Sequence, residues 1–300
     1  MNYLFAAIFG LIEGITEWLP VSSTGHLIIA EDFMKFTDLA DPAGFWSLFE
    51  VVIQLGAILA VVVLFFKKLW PLKYKTDESE KLDDSEGKRF AKRHLGIDMD
   101  TLKLWGKIIV ACLPAILIVL LKIDEKAEAL YYNPTCVAIA LIVVGIAFIV
   151  VEILNKRRKK EPRVNSINEL KWSDAIIIGI FQIIAAIFPG ASRSGVTIIG
   201  ALLIGVSRSI SAEFTFYLAI PAMAGASLLK ILKYGGSLGS TELILLAIAS
   251  IVAFVVSIFV IKFLMNYIKK HDFKVFGVYR ILIGILVLVL GLTGAISVAL

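Results

Sequence analysis

Six stretches of this 300-residue chain are apolar over roughly the length, about 20 residues, that a helix needs to cross a bilayer. Hydrophobic residues make up 59% of the sequence and charged residues 18%, against about 45–50% and about 25% in soluble domains. This composition therefore predicts an all-α polytopic membrane protein in a lipid bilayer. No basic, aromatic-lined pattern in the sequence suggests a nucleic-acid partner. The predicted transmembrane helices are 45–66, 104–121, 136–154, 212–232, 243–265 and 278–299.

Two further apolar stretches, 1–30 and 174–207, are interrupted in the middle by proline and small polar residues. The interruptions read LPVSSTGH and FPGASRSG. Proline removes a backbone donor and kinks or ends a helix. Irregular backbone persists within a membrane only where protein or a wet cavity surrounds it. We therefore predict two re-entrant helical hairpins, each of which leaves the membrane on the side where it enters.

Basic residues are concentrated in the loops 67–103, 155–172 and 266–277. Lys and Arg favour the cytoplasmic side, and six alternating spans place these three loops together there. Both termini then face outward, so hairpin 1–30 enters from outside, hairpin 174–207 enters from the cytoplasm, and the two oppose each other. Loop 67–103 is polar and mixed in charge, and this composition predicts a flexible segment or a short surface helix.

The two halves of the chain, 1–154 and 172–300, each contain one hairpin and three spans, and this odd number inverts the second copy. Shifting GLIEGITEWLPVSS by 169 positions places it on GIFQIIAAIFPGAS. The chain therefore predicts one membrane domain, 1–300, built as an inverted-topology repeat with its site near the midplane. The aligned pairs are Gly10 with Gly179, Glu13 with Gln182, Pro20 with Pro189 and Ser23 with Ser192.

Glu13 and Glu17 lie four residues apart in the first hairpin, so their side chains share one face of a helix. Two carboxylates in a low-dielectric site are unfavourable unless a cation or hydrogen-bond donors compensate them. Mg²⁺ and Ca²⁺ both prefer carboxylate oxygens. The pair predicts a divalent-cation site, and the alternative is two glutamates at the water interface that contact solvent or lysines.

Three hydroxyls and a histidine follow Pro20: Ser22, Ser23, Thr24 and His26. The hydroxyls could simply cap the next helix, and a single histidine could be a structural hydrogen bonder. Because a hydroxyl and the imidazole lie three residues apart, a nucleophile–base or acid–base arrangement is the functional alternative. Both interpretations stay open at this point.

The break in the second hairpin reads PGASRSGVT, residues 189–197. A helix that resumes after such a break presents free backbone N–H groups with positive dipole character, which bind anions. Arg193 adds a fork of donors suited to phosphate, and Ser192, Ser194 and Thr197 add hydroxyls. The alternative is that Arg193 pairs with a carboxylate and holds the two hairpins together.

Carboxylates with a metal, and an arginine at a helix start, suit phosphoryl transfer, because charge stabilisation supplies most of its catalysis. A membrane location favours a phosphate carried on a lipid. EGITEWLPVSSTGH and PGASRSGVT resemble the two signature motifs of the undecaprenyl-diphosphate phosphatases, bacterial enzymes linked to bacitracin resistance. FEVVIQLGAILAVV resembles the stretch after the first motif, whereas loop 67–103 is longer and more charged than expected.

The resemblance, which covers nearly the whole chain, implies hydrolysis of undecaprenyl diphosphate to undecaprenyl phosphate and inorganic phosphate with a divalent cation. Because hairpin 1–30 is predicted to enter from outside, we expect the site at the outer face of the bacterial plasma membrane. The family's motif residues fall on Glu13, Glu17, Ser23, His26, Ser192, Arg193 and Thr197.

On this basis we expect Glu13 and Glu17 to hold Mg²⁺ or Ca²⁺. We expect Arg193 to bind the diphosphate together with the hydroxyls of Ser22, Thr24, Ser192, Ser194 and Thr197. Ser23 would attack the terminal phosphorus with help from His26, or water activated by Glu17 or His26 would do so. The rival function is a transporter or flippase of polyprenyl phosphate lipid, because opposed hairpins also serve alternating access. A structural scaffold ranks last, since it explains neither Arg193 nor Glu17. The sequence does not decide between a monomer and a homodimer.

Overall fold

The computed structural model describes residues 1–37, 39, 41–76, 93–158 and 161–296. In this part of the chain, six helices are long and apolar enough to cross a membrane. They confirm the predicted all-α, six-span membrane fold, with ends that differ from the prediction by a few residues. The six are α3 (Pro42–Leu64), α5 (Met99–Leu120), α7 (Pro134–Arg158), α10 (Arg208–Lys233), α11 (Ser240–Tyr267) and α12 (Lys274–Leu292).

Each interrupted stretch folds as two short helices joined at its proline-containing break. The Nδ2 atom of Asn2, at the start of the first pair, donates to the carbonyl oxygen of Thr37, just beyond its end, at 2.6 Å. Arg163 bonds Asp174 near the start of the second pair and the Ile204 carbonyl oxygen after its end. Each pair therefore begins and ends on the same side of the molecule. The helices are α1 (Asn2–Thr16), α2 (Ser23–Phe33), α8 (Trp172–Ile187) and α9 (Arg193–Leu203).

The two breaks share an unusual backbone conformation at the residue that precedes the second helix. Ser22 has φ 76° and Ser192 has φ 68°, in the left-handed region that non-glycine residues seldom adopt. The geometric counterpart of Ser192 is thus Ser22 and not Ser23. One extra residue follows the proline of the second break, so the sequence offset changes from 169 to 170 there (192 − 22 = 170).

The packing partners of the two halves correspond. Helix α1 packs along α11 and α8 along α5, while α3 packs against α10 and α7 against α12. A Cβ atom on Gly10 would overlap the carbonyl oxygen of Ala249, and one on Gly179 would overlap that of Ala111. These two aligned glycines let helices approach closely at corresponding places, as small residues do between membrane helices.

Gly10→Ala is expected to lower the free energy of unfolding by about 1–3 kcal/mol, because the added methyl meets a backbone oxygen that cannot turn away. Gly225→Ala in α10 is the matched control, since its added Cβ has no atom within 4 Å. The midpoint of thermal unfolding in detergent measures both. Equal midpoints for the two variants would contradict the close approach of α1 and α11.

The segment 67–103 differs from its prediction. After the short helix α4 (Phe66–Leu69), it forms an antiparallel ribbon of β1 (Leu72–Thr76) and β2 (Arg93–Ile97), with Leu72 opposite Ile97. The residues 77–92 lie outside the described part. The alternating pattern LKYKT is a strand signal, but it is too short to stand out in a charged loop. A further short helix, α6 (Ile123–Tyr131), lies between α5 and α7.

Candidate active site

The breaks of the two helix pairs meet at Glu17, the residue that directly follows α1. Arg193 Nη2 donates to Glu17 Oε1 at 2.8 Å, and Ser194 Oγ donates to the Glu17 carbonyl oxygen at 3.1 Å. Arg193 and Ser194 are the first two residues of α9. The ion pair is the contact considered from the sequence as the alternative to phosphate binding. It places a guanidinium against a carboxylate in the interior, where only 15% and 10% of the two side chains are exposed.

Ser23 completes this arrangement. Its Oγ donates to the second Glu17 oxygen, Oε2, at 2.9 Å. Ser23 lines a cavity of about 320 Å³ together with Thr24 and Pro189. A carboxylate that accepts a hydroxyl proton is the arrangement that activates a serine as nucleophile. The site therefore presents a hydroxyl at the cavity, in contact with a carboxylate that can accept its proton and that is itself paired with a cationic group.

His26 is turned away from Ser23. Its Nδ1 lies 2.7 Å from the Ser22 carbonyl oxygen and must donate, because a carbonyl can only accept. Its Nε2 then accepts the hydroxyl hydrogen of Tyr279 at 2.8 Å, and the two rings are stacked. Since both ring nitrogens are engaged, the expected Ser23–His26 pair is not formed in this structure. The imidazole folds back onto its own helix and is held there by α12.

Glu13 has no polar partner. It is fully buried, and neither carboxylate oxygen has a hydrogen bond within the described residues. A buried carboxylate left in this state is strongly unfavourable, so a cation between Glu13 and Glu17 fits the site. The described residues contain no cluster of three or more His, Cys, Asp or Glu that could hold a metal. The fit is therefore to a cation that also takes ligands from a phosphate substrate, as Mg²⁺ commonly does.

The other predicted site residues lie at the breaks or behind them. The hydroxyl of Ser22 is buried and has no hydrogen-bond partner in the described part of the chain. The hydroxyl of Ser192 accepts from the Gly195 N–H at 3.2 Å, which is the capping role considered from the sequence. Thr197 is fully buried and donates to the Arg193 carbonyl oxygen at 2.8 Å. Thr197 thus supports the backbone of the arginine and does not line the cavity.

Arg280 completes the site, and the sequence interpretation does not include it. It is fully buried in α12, and its Nη2 donates to the carbonyl oxygens of Gly190 and Ala191, both at 2.9 Å. Its Nη1 donates to the Pro20 carbonyl oxygen at 3.2 Å. One guanidinium therefore holds the backbone of both breaks. The sequence did contain a signal for Arg280, because this charged residue lies inside the predicted transmembrane helix 278–299. Charged residues inside transmembrane helices are usually functional.

Access to Ser23 comes from the side of α6. The cavity beside Ser23 shares Glu50, Glu128 and Tyr132 with an adjoining cavity of about 300 Å³. On the opposite side of the molecule, ion pairs connect the helices: Lys68 with Glu213 at 2.7 Å, and Arg208 with Glu152 at 2.5 Å. The path to the site therefore opens away from the basic loops.

The fold and this site define a class: a multi-pass membrane protein with an interior site suited to phosphate chemistry between two broken helix pairs. The chain belongs to the family described as bacitracin resistance protein BacA, whose sequence model matches residues 6–286. It is 52% identical to an undecaprenyl-diphosphatase of Desulfitobacterium hafniense, over 94% of each chain. An undecaprenyl-diphosphatase of Lachnoclostridium phytofermentans is 52% identical over 95% of each chain, and one of Enterococcus faecalis 49% over 97% of each.

Proposed function

We propose that the chain hydrolyses undecaprenyl diphosphate to undecaprenyl phosphate and inorganic phosphate, and so recycles the lipid carrier of cell-wall synthesis. The relatives named undecaprenyl-diphosphatase, which match along nearly the whole chain, support this function. The observation that carries it is the contact of Glu17 with both Ser23 and Arg193 beside a cavity. The comparisons favour hydrolysis over the transport alternative, because the names of these relatives describe hydrolysis.

In the proposed reaction, Arg193 binds the terminal phosphate and stabilises the charge that develops on it. The Ser23 oxygen forms a bond to the terminal phosphorus while its proton passes to Glu17. The bond from this phosphorus to the bridging oxygen breaks, and undecaprenyl phosphate leaves. Water then attacks the phosphoserine and releases inorganic phosphate. Direct attack by water, with Glu17 as base, is the alternative, and the part of His26 stays a prediction.

A phosphate group on Ser23 is expected to be trapped when the enzyme is quenched with acid during turnover and its peptides are analysed by mass spectrometry. Ser23→Ala is expected to lower activity by about 10³-fold or more, because it removes the nucleophile. Ser211→Ala is the matched control, since the hydroxyl of this buried serine donates to the carbonyl oxygens of Val206 and Ser207, just before α10. Full activity of Ser23→Ala would eliminate the serine route and leave water as the nucleophile.

We further propose that Glu13 and Glu17 hold a divalent cation, Mg²⁺ or Ca²⁺, together with oxygens of the diphosphate. When bound, the cation would neutralise charge on the phosphates. A chelator is expected to abolish activity, and added Mg²⁺ or Ca²⁺ to restore it. Glu13→Gln is expected to raise the cation concentration for half-maximal activity by about tenfold or more. Glu128→Gln, at the cavity rim, is the control, and an unchanged cation requirement in Glu13→Gln would contradict the proposal.

The cavity opens on the side away from the basic loops, which supports a site at the outer face of the bacterial plasma membrane. In this orientation α1–α2 would enter the membrane from outside and α8–α9 from the cytoplasm. They would be the two re-entrant hairpins of the inverted repeat 1–154 and 172–300. The corresponding packing partners and the shared ends of each helix pair support this arrangement. The homodimer stays a prediction.

A further inference from the structure

A separate cavity of about 660 Å³ lies at the far end of α9 from the candidate active site. It forms where α7, α9 and α11 end and α10 begins. Helix α9 runs from Arg193, at the active site, to Leu203, at this cavity, which is about 15 Å along the helix axis. The mechanism proposed above uses none of the residues that line it.

Most charged side chains around this cavity are cationic. Arg163 and Arg208 are neutralised by carboxylates that lie outside the cavity lining, at 2.7 Å and 2.5 Å. The other three cations are exposed and have no ion pair among the described residues, so their charge faces the cavity and solvent. Glu161 is the one acid in the described lining. The three cations are Lys156, Arg158 and Lys269.

The base of the cavity is fixed by backbone hydrogen bonds. The Arg163 N–H donates to the Gly205 carbonyl oxygen at 2.7 Å, and the Ser207 N–H donates to the Val164 carbonyl oxygen at 2.9 Å. These bonds hold the basic loop before α8 against the turn after α9. The cavity is therefore preformed and does not depend on a ligand to bring its walls together.

Its surroundings place the cavity at the boundary between lipid and water. Leu154 and Phe263, on the transmembrane helices α7 and α11 that end there, are 41% and 56% exposed. Apolar side chains so exposed on transmembrane helices face acyl chains, whereas the cations beside them face headgroups. Basic pockets between transmembrane helices on the cytoplasmic side bind anionic lipid headgroups.

We propose that this cavity binds the phosphate group of an anionic phospholipid in the leaflet on the basic side. The phosphate would lie among Lys156, Arg158 and Lys269, and the acyl chains would extend along the apolar surfaces of α7 and α11. This site is distinct from the one that cleaves the substrate. The phospholipid bound in this cavity would not be a substrate of the enzyme.

Native mass spectrometry of the full-length protein in detergent, titrated with dioleoyl phosphatidylglycerol or dioleoyl phosphatidylcholine, tests the proposal. The variant Lys156→Gln/Arg158→Gln/Lys269→Gln is expected to bind phosphatidylglycerol roughly a hundredfold more weakly, from roughly fivefold per cation. The matched control removes the same charge from the same side at residues that do not line the cavity. It is Lys67→Gln/Arg157→Gln/Lys270→Gln, and its affinity is expected to stay close to that of the wild type.

Equal losses in the two triple variants would show a diffuse basic surface and overturn the proposal. Equal wild-type affinity for phosphatidylcholine would overturn it too, because the headgroup charge would then be irrelevant. If inorganic phosphate displaced phosphatidylglycerol with an affinity equal to that of the lipid, the cavity would be a site for a free anion. That result would also overturn the proposal. If the triple variant does not fold, Lys269→Glu against Lys270→Glu carries the same test at two exposed neighbouring positions.

Discussion

Arg193→Gln is expected to lower phosphate release from undecaprenyl diphosphate by about 10²- to 10³-fold. The substitution replaces the cationic group that contacts Glu17 with a neutral amide, so charge that develops on the transferred phosphate loses its main compensation. It also frees Glu17 Oε1 from its ion pair, while the bond from Ser23 to Oε2 can persist. Phosphate release by the purified variant in detergent micelles measures the effect.

Two further variants separate the chemistry of Arg193 from its structural contact. Arg193→Lys keeps the charge but loses the planar fork, so an intermediate activity is expected. Arg163→Gln is the control, because it also removes an arginine from an ion pair, the one with Asp174. Its activity is expected to stay close to that of the wild type. If Arg193→Gln lowered the thermal midpoint but kept its activity per folded molecule, the arginine would only tie the hairpins together.

Arg280→Met is expected to lower the free energy of unfolding by about 3–5 kcal/mol. The methionine fills much of the space but donates no hydrogen bond, so the carbonyl oxygens of Pro20, Gly190 and Ala191 lose their partner. A buried polar group left without a partner costs about 1–3 kcal/mol. Activity is expected to fall as well, because the same breaks position the residues that act on the substrate.

Denaturant or thermal unfolding in detergent measures the stability of the Arg280 variants. Arg280→Lys keeps a donor but cannot reach carbonyls on both breaks at once, so its stability is expected to lie between those of the wild type and Arg280→Met. An unchanged midpoint for Arg280→Met would show that these carbonyls find other donors. The guanidinium would then not be what holds the two breaks together.

The six transmembrane helices were predictable because apolar length is a local property of the chain. The positions of the two breaks were also predictable, since proline and small polar residues mark them in the sequence. The register of the breaks was not, because one extra residue before Ser192 shifts its counterpart from Ser23 to Ser22. That shift becomes visible only in the backbone conformation.

The partners within the site could be predicted only in part. The spacing of Glu13 and Glu17 on one helix indicated a carboxylate pair, but the ion pair of Glu17 joins residues 176 positions apart in sequence. Similarly, the proximity of His26 to Ser23 in sequence suggested a pair, yet the imidazole bonds Tyr279, which lies 253 positions away. Such contacts depend on how the hairpins pack, which no local pattern determines.

Phosphate release from undecaprenyl diphosphate by the purified protein in detergent micelles, with Mg²⁺ or Ca²⁺, tests the proposed hydrolysis most directly. Micelles have no second leaflet, so transport cannot contribute to the signal. We expect the wild type to release inorganic phosphate, and Arg193→Gln and Glu17→Ala to lose most of this activity. A folded wild-type protein that releases none, or a Glu17→Ala variant as active as the wild type, would contradict this proposal.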